Sequence, residues 1–466
     1  MEFLIKFAQA HEAFRLPEIE ALATLEGIEM TVLEYDLSSP VCLVRLPTVQ
    51  DAQRLIRRSI LAQSIHELWG YGASLDDAHE SLKKRTSHWW PRYKDACFKF
   101  DFDCYQGARS STKRLSIINT FSYLPFDGPI SMTKPDEIFT IFELWPWNSV
   151  PLGVEHPNRV LVGRFVHSSS RDTVLKYDLK KRDYISTTSM DAELSLVTAN
   201  LALAAPGKLF YDPFAGTGSF PVACAHFGAL AWGSDIDGMS LRGEGGRKSL
   251  LGNFEQYGLR SQLGGVFSAD LTNAPIRRGR KIWDGIVCDP PYGVREGLKV
   301  LGLKDPSKAP WLVERGMKSA MYVYRRGCSE FRRNSSLTLR RAPDYVPPKK
   351  PYSFLAMLDD ILVFASETLV DHGRLSFWMP TANDEEQEIP LPTHPCLQLV
   401  AVCVQPFNKW SRKLITYSRI PDNEVSQATL AAYTSRQSTG KTADELNPFR
   451  RGYFRKFETE EKPDAT

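Results

Sequence analysis

Along the chain, apolar and polar positions change period several times. Met1–Gln9 alternates, as a half-buried strand does, and Leu16–Leu25 repeats its apolar residues at helical spacing. Met30–Tyr35 and Val41–Leu46 alternate again, with Ser38-Ser39-Pro40 turning between them. Val49–Arg58 is helical and Ile65–Trp69 strand-like. This β-α-β-β-α-β order predicts a small ferredoxin-like unit over residues 1–72. Residues 73–179 predict a second domain. It has a helix at Ser74–Arg85 capped by Ser74, a strand at Ala96–Phe102, a helix at Ser110–Ile118 and strands at Ile138–Leu144 and Arg159–Val166. Ser168–Asp183 is polar and reads as a short helix plus linker.

From about residue 180 the pattern shifts. An amphipathic helix, Thr187–Ala204, leads into short apolar runs at Leu209–Tyr211, Leu230–Ser234, Gly265–Ser268 and Ile282–Cys288. Short β-prone runs separated by helices predict buried parallel strands in an α/β sheet. Tyr352–Val370 is a further helix and Gly373–Met379 a fifth strand. Leu397–Gln405 and Leu414–Arg419 form a closing antiparallel pair. This domain spans 180–430, with an insertion at 294–350, and a polar tail (431–466) follows. The chain from Gln427 onward is expected to be partly disordered.

Composition narrows the picture. The 466 residues suit roughly three domains. A net charge of +3 excludes a histone-like polycation, so any nucleic-acid binding must come from local patches. The eight cysteines include no CxxC pair, which points to reduced thiols in a cytoplasmic protein and to no structural zinc. The opening MEFLIKFAQAHEAF carries Glu2 and Lys6, so it reads as a strand and not as a signal peptide. No 18-residue apolar stretch lacks charge, so no membrane span is expected.

Two local patches are basic. Glu80–Arg114 holds nine Lys/Arg against four Asp/Glu, and His88-Trp89-Trp90-Pro91-Arg92-Tyr93 interleaves aromatic rings with base. Such a surface suits RNA backbone and unstacked bases, with Lys83, Lys84, Arg85, Arg92, Arg109, Lys113 and Arg114 as candidate contacts. A solvated helix face over ordinary core tryptophans has the same composition. Within the insertion, 301–350 holds twelve Lys/Arg against four Asp/Glu, with pairs such as Arg325-Arg326 and Arg332-Arg333. Loops this long are functional or disordered. Beside an active site these arginines would grip phosphates. Trp311–Tyr324 has the makings of a helix inside the loop.

The chemistry concentrates in Ile282–Gly297, IWDGIVCDPPYGVREG. Pro290 and Pro291 cannot continue a central strand, so the chain leaves the sheet there, at the strand end where open α/β sheets bind ligands. A nucleobase amine is a weak nucleophile, because its lone pair is shared with the ring. Asp289 can accept one of its N–H groups and the Pro290 carbonyl the other, which orients the nitrogen by positioning. Tyr292 can stack on a base drawn out of its helix. Alone, the motif could also be a turn with a capping Asp.

A second motif supports the chemical reading. KLFYDPFAGTGSF (Lys208–Phe220) runs from a strand ending in Asp212 through Gly216 and Gly218 into a helix, a close-approach turn backed by a helix N-terminus. Asp235 follows 19 residues after Gly216, near the ~20 of a ribose-binding carboxylate. Asp270 and Asp289 close the next two strands, so four successive strands end in Asp at one sheet edge.

DPFAGTGS followed by DPPYG resembles the Rossmann-like, class I S-adenosylmethionine-dependent methyltransferases of exocyclic amines. DPPYGVREG with YISTTSMDAELSLVTAN (Tyr184–Asn200) resembles, more narrowly, the THUMP-domain tRNA guanosine-10 N2-methyltransferase family of eukaryotes and archaea. FSYLPFDGPISM (Phe121–Met132) resembles that family's THUMP domain, which engages the 3′ acceptor end of tRNA. The resemblance implies an α/β methyltransferase sheet preceded by an α+β ferredoxin-like unit plus THUMP. It implies S-adenosylmethionine as cofactor, no metal in the site, tRNA as substrate, and a heterodimer with a small zinc-binding activator. Asp212, Phe214, Ala215, Gly216 and Gly218 would surround the methionine part of the cofactor, with Thr188, Ser189 and Met190 close by. Asp235 would take the ribose hydroxyls, Asp237 being the competing residue and better suited to cap the next helix. Asp270 would meet the adenine amine, with Leu271 as its apolar neighbour. Asp289, Pro290, Pro291 and Tyr292 would be catalytic. Arg295 would touch the target's phosphate or pair locally. Ser186 stands where the family usually has Gly. A DNA amino-methyltransferase would share the catalytic motifs but not the RNA-binding front half. A silent tRNA-binding subunit would not need all four carboxylates, and a nicotinamide dehydrogenase would not explain Asp289–Tyr292.

Overall fold

The computed structural model describes residues 1–293, 298–302, 312–313, 320–321, 349–382, 389–408, 410–438, 445–447 and 449–450. Arg295, Arg325, Arg326, Arg332 and Arg333 lie outside them. The described residues form two compact units, Met1–Tyr177 and Asp178–Thr466.

Period-two burial builds the first unit. In β1 (Glu2–Phe7), Phe3, Ile5 and Phe7 join one core and Leu4 the other. The first core is closed by α1 (Glu12–Glu26) and α2 (Val49–Ile56). With β2 (Thr31–Tyr35), β3 (Val41–Arg45), β4 (Ala62–Gly72), β5 (Phe98–Tyr105), β6 (Glu137–Leu144) and β7 (Arg159–Ser168), β1 forms a sheet of order β2-β3-β1-β4-β7-β6-β5. The sequence boundary at 72/73 falls at the end of β4. That strand pairs with β1 on one side and β7 on the other, so residues 1–72 and 73–179 share one sheet. Past it, Ser74 caps α3 (Leu75–Thr86) in a reciprocal box with Asp77, and α4 is Ser111–Asn119. A third core, distinct from the one Leu4 joins, gathers on Trp69, with Leu82, Phe121 and Phe139. Trp89, Trp90 and Tyr93 pack against it from the 3-10 turn Ser87–Tyr93, and Trp90 Nε1 donates to Thr86 Oγ1 at 3.0 Å. Part of each ring is therefore taken up by packing. Helix α5 (Thr173–Lys176) ends the unit.

The second unit begins with α6 (Ala192–Leu201). The expected amphipathic helix at 187–204 is shorter, because Asp191 caps it by accepting from Leu194 N at 2.9 Å. It is also buried all round, and Trp378 Nε1 donates to Thr198 Oγ1 at 3.2 Å on one side of it. The chain continues through β8 (Leu209–Asp212), α7 (Ser219–His226), β9 (Leu230–Asp235), α8 (Gly238–Arg242), α9 (Leu250–Gln256), β10 (Leu263–Ser268) and β11 (Trp283–Cys288). After the insertion come α10 (Phe354–Thr368), β16 (Leu369–Ala382), β17 (Leu397–Pro406), β18 (Trp410–Arg419) and α11 (Gln427–Ala432). The sheet order is β10-β9-β8-β11-β16-β18-β17. The first five strands are parallel, and β18 runs antiparallel to both β16 and β17, so β17 points the same way as the first five. Counted within this sheet the order is 3-2-1-4-5-7-6, that of a Rossmann-like methyltransferase. Strand order reverses between β8 and β11, which is where open α/β sheets form their ligand crevice.

Within the insertion, β12 (Lys299–Leu301) pairs with β15 (Lys349–Pro351), joining its two ends. The described residues of 311–324 are strands β13 (Leu312–Val313) and β14 (Ala320–Met321), paired antiparallel where a helix was expected. Toward the C-terminus, Leu446, Asn447 and Phe449 are buried where a polar tail was expected. Among the described residues, no helix is long and apolar enough to cross a membrane.

Candidate active site at the strand ends

Each of the four sequence-predicted carboxylates sits at or just past the carboxyl end of a parallel strand. Asp212 closes β8 and is buried. Its Oδ1 accepts from Phe214 N at 2.9 Å, while burial pushes its carboxyl well above the usual range and the charges of Asp235 and Asp289 add to the rise. The chain then bends through Gly216 (φ +49°) and Gly218 (φ +90°). A Cβ on Gly218 would press on Leu250, whereas one on Gly216 would meet nothing within 4 Å. Gly216 thus borders open space. Asp235 Oδ2 accepts from Gly216 N at 2.9 Å and its Oδ1 from Asp237 N at 2.8 Å, so one carboxylate ties the glycine turn to the next strand end. Asp237 itself caps α8 through Met239 N.

Behind the turn, Ser189 and Thr217 hydroxyls meet at 2.8 Å, and Met190 is buried. Ser186 N donates to Ser189 Oγ at 2.9 Å, which closes the turn. Asn253, fully buried on α9, donates to Tyr184 O and Thr217 O and accepts from Tyr184 N. It holds the 184–190 segment against the glycine turn. No sequence pattern had singled it out.

Asp270 differs from the other three. Its carboxylate accepts from Thr272 N and Oγ1, Asn273 N and Nδ2, and Leu301 N. These five donors saturate both oxygens in this conformation. Asp270 therefore orders the strand end and fixes β12 there, with Leu271 buried beside it. The other end of the insertion brings Lys349 near Asp235, where its charge counters the upward push of burial on that carboxyl.

At Asp289 the site leaves polar atoms unsatisfied. Asp289 and Tyr292 keep part of their surface open to solvent, yet Asp289 Oδ1 and the Tyr292 hydroxyl are themselves buried and have no hydrogen-bond partner among the described residues. Burial raises the Asp289 carboxyl to about 6; the nearby Tyr292 hydroxyl and the Arg412 guanidinium oppose that rise. The hydroxyl biases the carboxyl, but no hydrogen bond of ordinary geometry joins them. An unpaired buried acceptor costs of order 1–3 kcal/mol unless a ligand satisfies it, and a base amine is a ligand of that kind. Pro290 is buried and Pro291 exposed.

Arg412 arrives from β18, beside the carboxyl end of β16. Its guanidinium lies 4.6 Å from the Trp378 ring centroid and bonds Gln405 Oε1 at 2.5 Å. Trp410, two residues before it, packs edge-on to Tyr292 at 6.2 Å.

In the first unit, Lys83, Lys84, Arg92, Lys113 and Arg114 are exposed. Arg85 and Arg109 are partly buried and committed elsewhere. Arg85 pairs with Glu2 at 2.7 Å, and Arg109 makes a two-pronged pair with the buried Glu143 while lying over Trp145.

Comparison with known proteins bears on both units. Residues 1–171 match the family described as "Tmrp11 THUMP N-terminal domain", and residues 180–300 match "RMKL-like, methyltransferase domain". The chain is 42% identical over 459 residues to the tRNA (guanine(10)-N(2))-methyltransferase of Saccharomyces cerevisiae, covering 98% of this chain and 99% of that protein. It is 38% identical over 455 residues to the Schizosaccharomyces pombe protein of that name, covering 90% of each. With the Homo sapiens protein, tRNA (guanine(10)-N(2))-methyltransferase TRMT11, it shares 32% identity over 436 residues, covering 90% of this chain and 88% of the other.

Proposed function

The chain belongs to the tRNA (guanine(10)-N(2))-methyltransferase family, and from that premise we propose that it methylates the exocyclic N2 amine of guanosine at position 10 of tRNA. The observation that carries this reading is the unsatisfied Asp289 carboxylate beside Tyr292, one strand away from a glycine turn that leaves room for a ligand. S-adenosylmethionine supplies the electrophilic methyl group when bound. Gly216, Gly218, Ala215, Phe214 and Asp212 would hold its methionine part, Asp235 its ribose, and the edge ordered by Asp270 and Leu271 its adenine. Asp289 accepts one N–H of the amine and the Pro290 carbonyl the other, while Tyr292 stacks on the extruded base. The amine becomes cationic as it is methylated and loses its proton afterwards, so Asp289 works as an ionised acceptor and need not be a strong base. Lys83, Lys84, Arg92, Lys113 and Arg114 offer exposed charge to tRNA phosphates.

Incubating the full chain and its activator with labelled S-adenosylmethionine and total tRNA tests the assignment. The expected product is N2-methylguanosine at position 10. Label in another base would overturn the target, and no label despite cofactor and tRNA binding would overturn the enzymatic reading.

Arg412 carries its own expectation. Its charge favours the ionised form of Asp289, so Arg412→Met should move the acid limb of the pH–rate profile alkaline, by about one pH unit at most. An unmoved limb would remove Arg412 from the site.

The same reading includes a small zinc-binding activator as partner, in the cytoplasm. The second sheet ends in two edge strands, β10 and β17, and β17 exposes Leu399 and Val400. Unpaired strand edges with apolar side chains favour a covering chain. The isolated chain should therefore be poorly soluble or inactive, and gain activity on co-expression with the activator. Full activity of the purified chain alone would overturn this dependence on the activator.

A further inference from the structure

The catalytic turn cannot fasten itself. Pro290 and Pro291 have no N–H, and Gly293 is in the left-handed region at φ +68°. The carbonyls that follow need donors from elsewhere. These donors come from the end of the chain. Asn447 Nδ2 donates to Tyr292 O at 2.6 Å, across 155 residues of sequence. Arg450 Nη1 reaches Gly293 O at 3.4 Å. Asn447 is only 4% exposed, and its Oδ1 accepts from Arg450 N at 3.3 Å, which fixes the amide with its donor toward Tyr292.

The segment bearing Asn447 is itself anchored. Arg436 donates to Asp359 on α10 through its backbone N–H at 2.7 Å and its Nε at 2.9 Å. Ser353 N donates to Ser438 Oγ, and Phe354 N to Leu446 O, both at 2.9 Å, so the segment satisfies amides at the start of α10. Phe449 is buried against Trp410, whose ring meets Tyr292. The same stretch of chain thus bonds the Tyr292 backbone and backs the β18 ring, Trp410, that meets the Tyr292 ring.

We propose that Asn447 is a positioning residue for methyl transfer: through its bond to the Tyr292 carbonyl it sets where the Tyr292 ring and the Asp289 carboxylate stand. The proposal rests on the methyl-transfer reading above. Asn447→Asp keeps the shape but turns an acceptor toward a carbonyl. It should lower kcat by about 10- to 100-fold, as small misplacements of reacting groups do. Cofactor affinity and the KM for tRNA should stay within about threefold, because the glycine turn and the basic residues lie on other elements. Asn447→Ala, which removes the donor without repulsion, should fall between the aspartate variant and wild type. Amide hydrogen exchange over Cys288–Gly293 should accelerate in both variants while β8 stays protected. Unchanged kcat with unchanged exchange would overturn the proposal. So would a rate loss that only tracks parallel losses in cofactor affinity and thermal midpoint. If wild type transfers no methyl to tRNA, the proposed function fails, and hydrogen exchange alone decides whether Asn447 holds the loop.

Discussion

Asp289→Ala is expected to lower kcat for methyl transfer by about 10³-fold while leaving cofactor affinity within about threefold. The variant removes the only side-chain carboxylate in the catalytic tetrapeptide, and the carboxylates on β8 and β9 that border the glycine turn remain. Single-turnover rates with pre-bound cofactor, beside an equilibrium measurement of cofactor binding, separate the two effects. A loss of cofactor affinity that accounted for the whole rate change would move Asp289 out of the reacting centre.

The pH dependence follows from the same environment. Burial puts the Asp289 carboxyl at about 6. Below that pH it is protonated, its hydroxyl oxygen carries a hydrogen, and it no longer receives the amine as an anion. Methyl transfer should therefore rise with pH and level off above about 6. Stability runs the other way. The folded-state value lies above the unfolded one, so the favourable contribution is complete below about 4 and is lost as pH rises through about 6. At pH 7.5 the ionised carboxylate weakens the fold by about 2 kcal/mol, allowing for its partial contact with solvent. Asp289→Asn should accordingly raise the thermal midpoint at pH 7.5, and the gain should vanish near pH 4. A midpoint lowered at both pH values would mean that the carboxylate stabilises the fold and is not held there for function.

The features legible in the sequence were those that local pattern determines. Strand ends could be read because a short apolar run stops at a polar residue, which is why Asp212, Asp235, Asp270 and Asp289 were identified together. What each carboxylate does in its surroundings was not local. Asp270 looks like its neighbours in sequence, yet Leu301, from β12 in the insertion beyond β11, completes the set of donors that saturates it. Arg412 and Asn447 reach the catalytic turn from strands and segments far along the chain, and no periodicity encodes which side chain faces another across a sheet. Charge counting missed these pairings for a related reason. Arg85 and Arg109 added to a basic tally, but Glu2 and Glu143, distant in sequence, take up their charge. The interleaved aromatics at 88–93 fit both an RNA surface and a core, and only the fold shows that Trp89, Trp90 and Tyr93 pack part of their rings against the cluster around Trp69.

Asp235→Ala should raise the dissociation constant for S-adenosylmethionine by about 30- to 100-fold, through two losses that act together. One is the direct loss of an acceptor for the ribose hydroxyls, a charge-assisted pair worth about 1.5–3 kcal/mol. The other is slack in the glycine turn, because Asp235 alone connects Gly216 N to the amide of Asp237. Asp235→Asn should be milder, about tenfold, since one amide oxygen can still accept from Gly216 N while the amide nitrogen faces a donor. The neighbouring carboxylate supplies the control. Asp237 accepts from Met239 N and Ser240 Oγ and so caps a five-residue helix. Asp237→Ala should cost about 1 kcal/mol of stability and leave cofactor affinity unchanged. At saturating cofactor, both Asp235 variants should recover kcat to within a few-fold of wild type, because the Asp289 turn is held by Asn447 and Trp410 and not by β9. A kcat that stayed low at saturation would mean that the glycine turn and the catalytic turn move together. An unchanged dissociation constant would reduce Asp235 to a loop tie and pass the ribose to another residue.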